Sequence, residues 1–571
     1  MRWHSLIAAS AAALVLVSCS PPVPVEQAPT TAHTPATGDP VVVNALTLPT
    51  SYDPADTDDP YALRIAGLIQ RGLYRFDAKG KGVLEVAESV ETADDRVFTV
   101  TLAPGWRFSN GEAVTADSFV DAWSRAADPA HPRLHRDLFA PILGFTPDVP
   151  VVQSTRAPAA PTGARATSSP SSPTTSAASV PTAAPAPDGR SPRLPGLQVI
   201  DARTFTITLD RPRPDFVQRL AHAAFMPLPD VAFTDPQAYG RSPVGNGPYR
   251  LDGEWTSTGT VRLRPDPIYT GIDGARNAGI DFRVYTDPDL ALRDMEDGRL
   301  DILDVLPTTA LTDYRATFAE RAVNQPVGAR LDIVFPTGSA PWTGTEGADR
   351  RRAISLAVDR EALAREELAG TSAPATDLAT PLVEGHSREM CNETCHLDPA
   401  NATKALTEAG GMPGTMTLAY AADTDGGAVA RAVCADVVEH LEIACTPRAH
   451  PTTAALREAV RSGAEPGPYL GRYQMDYPLL EDFLLPRFTP GAPTNDSGFR
   501  DAGIAAALDR ADATATPERT PRFQSAETRL LEALPVVPLL NLNATTVSST
   551  AVRDVHIDVF GAPGYADVQR P

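Results

Sequence analysis

The run Val-Phe-Thr-Val-Thr-Leu at 97–102 alternates apolar and polar residues with the period of two that marks a half-buried strand. The pairs Pro104-Gly105 and Asn110-Gly111 then punctuate turns. Thr115 stands where a helix N-cap belongs, and over 116–126 the residues Phe119, Val120 and Trp123 fall on one face. Residues 205–209 predict another strand. The stretch 349–368 predicts one long helix that buries Ile354, Leu356, Ala357 and Val358. Further on, 416–420, 428–441 and 443–446 predict a compact strand–helix–strand unit. Strands that alternate with helices in this way point to an α/β architecture with mixed sheets.

Two stretches interrupt the periodic pattern. Residues 20–39 are rich in Pro, Thr and Ala and predict a flexible tether; residues 153–193, full of Ser, Thr, Pro and Ala, cannot build a core and predict a disordered insertion. Ahead of the tether come Arg2, an apolar run over 6–17 and Ser18-Cys19, the parts of a secretory signal. Twelve residues are too few to span a bilayer as a helix, which takes about 20. No later segment is long and apolar enough to do so, and no internal repeat is present.

At 571 residues the chain has room for two or three domains, each able to bury a core. The formal charge of −21 argues against nucleic acid or an anionic membrane surface as a partner. Beyond Cys19 there are four cysteines, Cys391, Cys395, Cys434 and Cys445, an even number that in an exported chain reads as two disulfides. Near neighbours suggest Cys391–Cys395 and Cys434–Cys445, and spacing leaves the other pairings open. Cys391, Cys395 and His396 also cluster as metal ligands would, but no second ligand pair has the spacing of a zinc site, so no metal is expected. Nucleophile elbow, H-E-x-x-H and P-loop motifs are all missing, so neither catalysis nor a cofactor is expected.

The signal ends in Leu16-Val17-Ser18-Cys19, which resembles the bacterial lipobox. That resemblance implies cleavage after residue 18, a lipid on Cys19 and attachment to the extracytoplasmic face of the membrane. Five further blocks resemble, in order, the large family of binding proteins that serve ABC importers for oligopeptides, dipeptides, nickel and related solutes. They are Ser51-Tyr52-Asp53-Pro54; Trp106-Arg107-Phe108-Ser109-Asn110-Gly111 with Val114 to Phe119 and Trp123; Pro243-Val244-Gly245-Asn246-Gly247-Pro248-Tyr249; Arg351 to Arg360; and Asp476-Tyr477-Pro478 with Phe483-Leu484. The family implies a two-lobed, type II periplasmic-binding-protein fold that closes on ligand by a hinge and works as a monomer with the permease subunits of an importer. By analogy residues 40–316 make the first lobe, with a subdomain at about 61–195; 317–540 make the second lobe; and 541–571 return to the first.

The same resemblance implies the site. In the peptide-binding branch the aspartate at the position of Asp476 pairs with the ligand's α-ammonium, and the backbone of Tyr473, Gln474 and Met475 would pair with the extended peptide as an added strand. Tyr473 stands where the family commonly has Trp, and Leu48, Pro49 and Thr50 stand where some peptide binders carry an acidic residue. Asn246, between Gly245 and Gly247, lies where family members approach the cleft, although a polar residue flanked by glycines is equally a plain turn. Arg461 and Arg472 are candidates for a ligand carboxylate. For Asp476 the competing reading is a cap on the segment that follows. Trp106, Trp123 and the helix with Arg351 and Asp359 read as scaffold. Two other functions compete with peptide capture. One is a different solute: a nickel chelate, which wants a histidine in these blocks and finds none; haem; or an oligosaccharide, for which Trp255 and Trp342 are possible stacking rings. The other is regulation of cell-envelope assembly by protein contact.

Overall fold

A computed structural model describes residues 37–46, 48–147, 189–492 and 494–570. The expected signal, Cys19, most of the tether and residues 153–188 of the expected insertion lie outside the described residues.

The largest sheet has eleven strands and runs through the whole molecule. At its centre lie two strands of 13 residues, Ala322–Val334 and Val536–Ser548, antiparallel from Ala322↔Val547 to Val334↔Val536. Their register shifts between Pro326 and Arg330, where Pro326 has no N–H to give the ladder. On one side of this shift the sheet continues through Ile302–Leu303, Val41–Ala45, Ile280–Val284, Thr260–Pro265 and Tyr249–Leu251. On the other it continues through Tyr469–Gln474, Met416–Ala421 and Cys445–His450. The buried apolar side chains divide the same way. Two clusters draw on residues 41–318 with Val547, Tyr565 and Val568, and two draw on residues 327–542. Two lobes thus share one pair of crossing strands.

The first lobe also carries a four-stranded antiparallel sheet, in the order Ala87–Thr92, Val97–Leu102, Thr204–Thr208, Leu197–Asp201. The expected helix Ala116–Ala126 packs on it with Phe119, Val120 and Trp123 fully buried, and the Thr115 N–H is accepted by Ser118 Oγ at 3.1 Å. The last segment of the chain closes this lobe. Arg570 donates to the Pro40 carbonyl at 2.9 Å and to Asp301 at 3.0 Å, the Tyr565 hydroxyl donates to Asp304 at 3.1 Å, and Asn277 donates to the carbonyls of Tyr565 and Val568.

In the second lobe the strand–helix–strand unit is present as Met416–Ala421, Gly426–Leu441 and Cys445–His450, with the two strands parallel. The second strand begins later than expected because Glu442 takes a left-handed conformation (φ 54°) at the end of the helix. The single helix expected over 349–368 is broken. Gly344–Ala357 ends at Val358, and the Asp359 side chain accepts from the Ala362 N–H at 2.9 Å to start a second, short helix, Arg360–Ala362. Arg351 is scaffold as expected: its guanidinium binds the carbonyls of Leu534, Ala533 and Trp342. Both neighbour disulfides form, Cys391–Cys395 and Cys434–Cys445, with Cα–Cα distances of 5.5 and 5.0 Å. Among the described residues no cluster of three His, Cys, Asp or Glu side chains is placed to hold a metal, and no helix is long and apolar enough to cross a membrane.

Candidate functional site

The strand Tyr469–Gln474 brings Asp476 to the seam between the lobes. Along one edge this strand pairs with Ala322–Val334, from Val334↔Tyr469 to Ala329↔Gln474. Along the other, Met416–Ala421 meets it only at Ala419↔Tyr469, so the edge over residues 471–474 is unpaired. The Met475 N–H donates to the Gly328 carbonyl at 2.8 Å. Successive backbone N–H groups of a strand point to opposite sides, so Tyr473 also turns its N–H inward and Gln474 and Arg472 turn theirs to the open edge. This corrects the expectation for residues 473–475. Gln474 keeps its main chain free, the main chains of Tyr473 and Met475 face inward, and the Met475 side chain is buried beneath Gly328.

Beyond Met475 the chain turns. The fully buried Asp482 accepts the Asp476 N–H at 3.0 Å, and the Tyr473 hydroxyl donates to the Asp482 carbonyl at 2.7 Å. Asp482 therefore braces this turn. The helix Leu480–Phe488 starts with no side-chain cap from Asp476, and among the described residues the Asp476 carboxylate makes no hydrogen bond to a backbone N–H.

Across the seam the first lobe presents two histidines that sequence reasoning missed, since both lie outside the matched blocks. His222 Nε2 stands 3.9 Å from Asp476 Oδ1, and the His135 ring lies 4.6 Å from that of His222. His222 Nδ1 accepts from the Ala224 N–H at 3.1 Å, which leaves its proton on Nε2. Burial, with His135 adding, pushes the His222 pKa well below its ordinary value, so His222 is a neutral donor facing Asp476 rather than a counter-ion. His135 binds the Thr57 carbonyl through Nε2 at 2.8 Å. Each histidine thus has one ring nitrogen committed to backbone.

Asp476 retains 37% of its side-chain surface, with His222 of the other lobe facing its carboxylate. Burial pushes its carboxyl up to about 6; His135 acts in the opposite direction and Asp137 adds to the rise. The result is a carboxylate with no cation bonded to it, held where a cationic group of a ligand would relieve it.

Of the other expected site residues, Arg472 shares the strand that leads to Asp476 and the rest belong to other elements. Asn246 is 1% exposed and spends its amide on the backbone of Arg71, accepting from its N–H at 2.9 Å and donating to its carbonyl at 3.1 Å. Its amide braces the Arg71 backbone. Its neighbours have to be glycine, because a Cβ at Gly245 would come within 1.8 Å of the Ile69 carbonyl oxygen. Arg472 is exposed and lies 3.7 Å from Asp425, while Arg461 is exposed at the end of the helix Thr453–Arg461. Trp255 and Trp342 are core: Trp255 donates to the Pro49 carbonyl at 2.8 Å, and Trp342 packs on Phe335. Neither ring is open for a sugar to stack on.

The chain is 25% identical over 347 residues to the dipeptide-binding protein of Lactococcus lactis, a match covering 57% of this chain and 56% of that one. It is 22% identical over 409 residues to the oligopeptide-binding protein OppA of Bacillus subtilis, covering 68% and 67%. The chain thus spans little more than half the length of the first relative and about two thirds of the second. Its fold matches the murein tripeptide binding protein MppA of Escherichia coli with a TM-score of 0.75 at 20% identity, covering 94% of this chain and 99% of that one. The family model described as bacterial extracellular solute-binding proteins, family 5 Middle, matches residues 81–495. The chain therefore belongs to the family 5 extracellular solute-binding proteins, two-lobed extracytoplasmic proteins that bind solutes and are not enzymes.

Proposed function

We propose that this protein captures peptides between its lobes, with Asp476 holding the ligand's α-ammonium, and passes them to the permease subunits of an ABC importer. One observation carries the reading: an accessible carboxylate without a bonded cation stands at the end of a strand whose outer edge is unpaired. A charge-assisted bond fixes the one cationic group that every unblocked peptide has, while Gln474 and Arg472 offer main-chain bonds that ignore side-chain identity. The peptide-binding names of the relatives support the same solute class. A lipid on Cys19 would keep the protein at the outer face of the membrane.

The test is a four-way calorimetric comparison. Trialanine and N-acetyl-trialanine are titrated into wild type and Asp476→Asn. Removing one partner of a buried charge pair costs about 2–5 kcal/mol, roughly a 30- to several-thousand-fold loss of affinity. Wild type should discriminate strongly between the free and acetylated peptides, and the variant should lose most of that discrimination, because both changes remove the same interaction. Losses that simply add would leave Asp476 without a role in holding the ammonium.

A further inference from the structure

Beside Asp476 the lobes meet through a cluster of charged side chains that peptide recognition does not use. From the first lobe, just after the strand Thr204–Thr208, come Arg211, Arg213, Asp215 and Arg219. From the second come Asp509 and Asp512 at the end of the helix Ala502–Asp512, Arg519 at the start of Arg519–Ala533, and Glu481. Asp512 is the hub. It accepts from Arg211 at 3.0 Å and from Arg213, lies 3.7 Å from Arg219, and pairs within its own lobe with Arg519 at 3.2 Å. A second link runs the opposite way, from Arg519 of the second lobe to Asp215 of the first at 2.8 Å; Arg519 also pairs with Glu481 at 3.1 Å. Arg211 further pairs with Asp509, and the Arg219 guanidinium lies 5.6 Å from the centre of the Tyr477 ring.

These bridges differ from ordinary surface pairs in their burial. Side-chain exposure is 1% at Asp512, 3% at Asp215, 7% at Arg519 and 11% at Arg213. The two faces also match in charge. The first lobe presents three arginines against Asp215 and the half-exposed Asp210, and the second presents Asp509 and Asp512 against Arg519. Each face thus carries one unit of opposite excess charge, before Glu481 adds to the acidic side. All four cations are arginines, whose planar forks can serve two carboxylates at once.

We propose that this cluster is an ionic latch that sets the balance between open and closed lobes independently of ligand. Closing the lobes removes these charges from water, which is tolerable only while every one of them keeps its partner. The closed state is therefore conditional on the match, and losing one member leaves the buried cluster with an unbalanced charge only when the lobes are shut. The inference rests on the lobes being a hinged pair, and not on the ligand being a peptide.

The test uses small-angle X-ray scattering on ligand-free protein, with wild type compared with Asp512→Asn, Arg213→Gln and the double variant. A third single variant, Arg211→Gln, removes a more exposed charge from a loop and guards against misfolding; circular dichroism and thermal unfolding report on folding. Each single variant should lower the closed-to-open ratio, by about a hundredfold at Asp512, and be read as a larger radius of gyration. The double variant should expand no further than Asp512→Asn alone, since both act on one link. If the folded variants all keep the wild-type radius, the latch is overturned, whatever the outcome of the peptide titrations.

Discussion

At the scale of single residues, Asp476 decides how the site responds to acid. Its carboxyl holds a proton up to about pH 6, because burial disfavours the charged form. A cationic ligand pairs only with the ionised form, so binding must expel that proton once the pH falls below this value. Affinity for a peptide ammonium should be level from about pH 7 to about pH 8 and fall about tenfold per pH unit below about 6. His222 stays neutral through this window, since burial pushes its pKa well down, and so brings no competing cation to the carboxylate. Calorimetry in two buffers of different ionisation enthalpy would count the proton released on binding. A flat profile in wild type, the same as in Asp476→Asn, would show that another group receives the ligand.

At the scale of elements, the close approach at Gly245 gives a test of how tightly the first lobe is built. A methyl group there would overlap the Ile69 carbonyl at the end of the helix Pro60–Ile69, a backbone atom that cannot swing aside. Gly245→Ala should cost about 3 kcal/mol in chemical denaturation, and a neutral result would mean that this segment shifts freely. Elements whose signal is local were legible in the sequence. The strand Val97–Leu102 and the helix Ala116–Ala126 lie where their apolar periods put them, and both disulfides join near neighbours. The break at Asp359 was hidden because the apolar pattern continues through it, while the capping bond that causes it depends on side-chain geometry. Asn246 looked like a cleft residue because its neighbours match a family block, yet its amide is consumed by Arg71, 175 positions away. His135 and His222 carried no signal at all: each is an isolated residue that only the fold brings to Asp476. The same holds for Arg213 and Asp512, 299 positions apart.

At the scale of the whole molecule, the proposed lipid on Cys19 would fix position, and the proposed hinge between the lobes would admit solute. Acyl chains contribute about 0.8 kcal/mol per buried CH₂, enough with two or three chains to hold a protein of this size at a bilayer. Cys19→Ala should leave an unprocessed precursor or release the protein to the medium, and labelled fatty acid should co-migrate with wild type alone; an unlabelled wild-type chain would remove the anchor. The path of the chain between the lobes has a consequence in time as well. Val536–Ser548 re-enters the first lobe late, and residues up to Arg570 tie down Pro40, Asn277, Asp301 and Asp304. A ribosome adding about 5–20 residues per second needs roughly half a minute to two minutes for a chain this long. The second lobe comes from one continuous stretch that is complete once residue 542 is made, while the first lobe, with Val41–Ala45 made at the outset, waits for a closing segment that is synthesised last of all. The lobe that is begun first is the last to be finished.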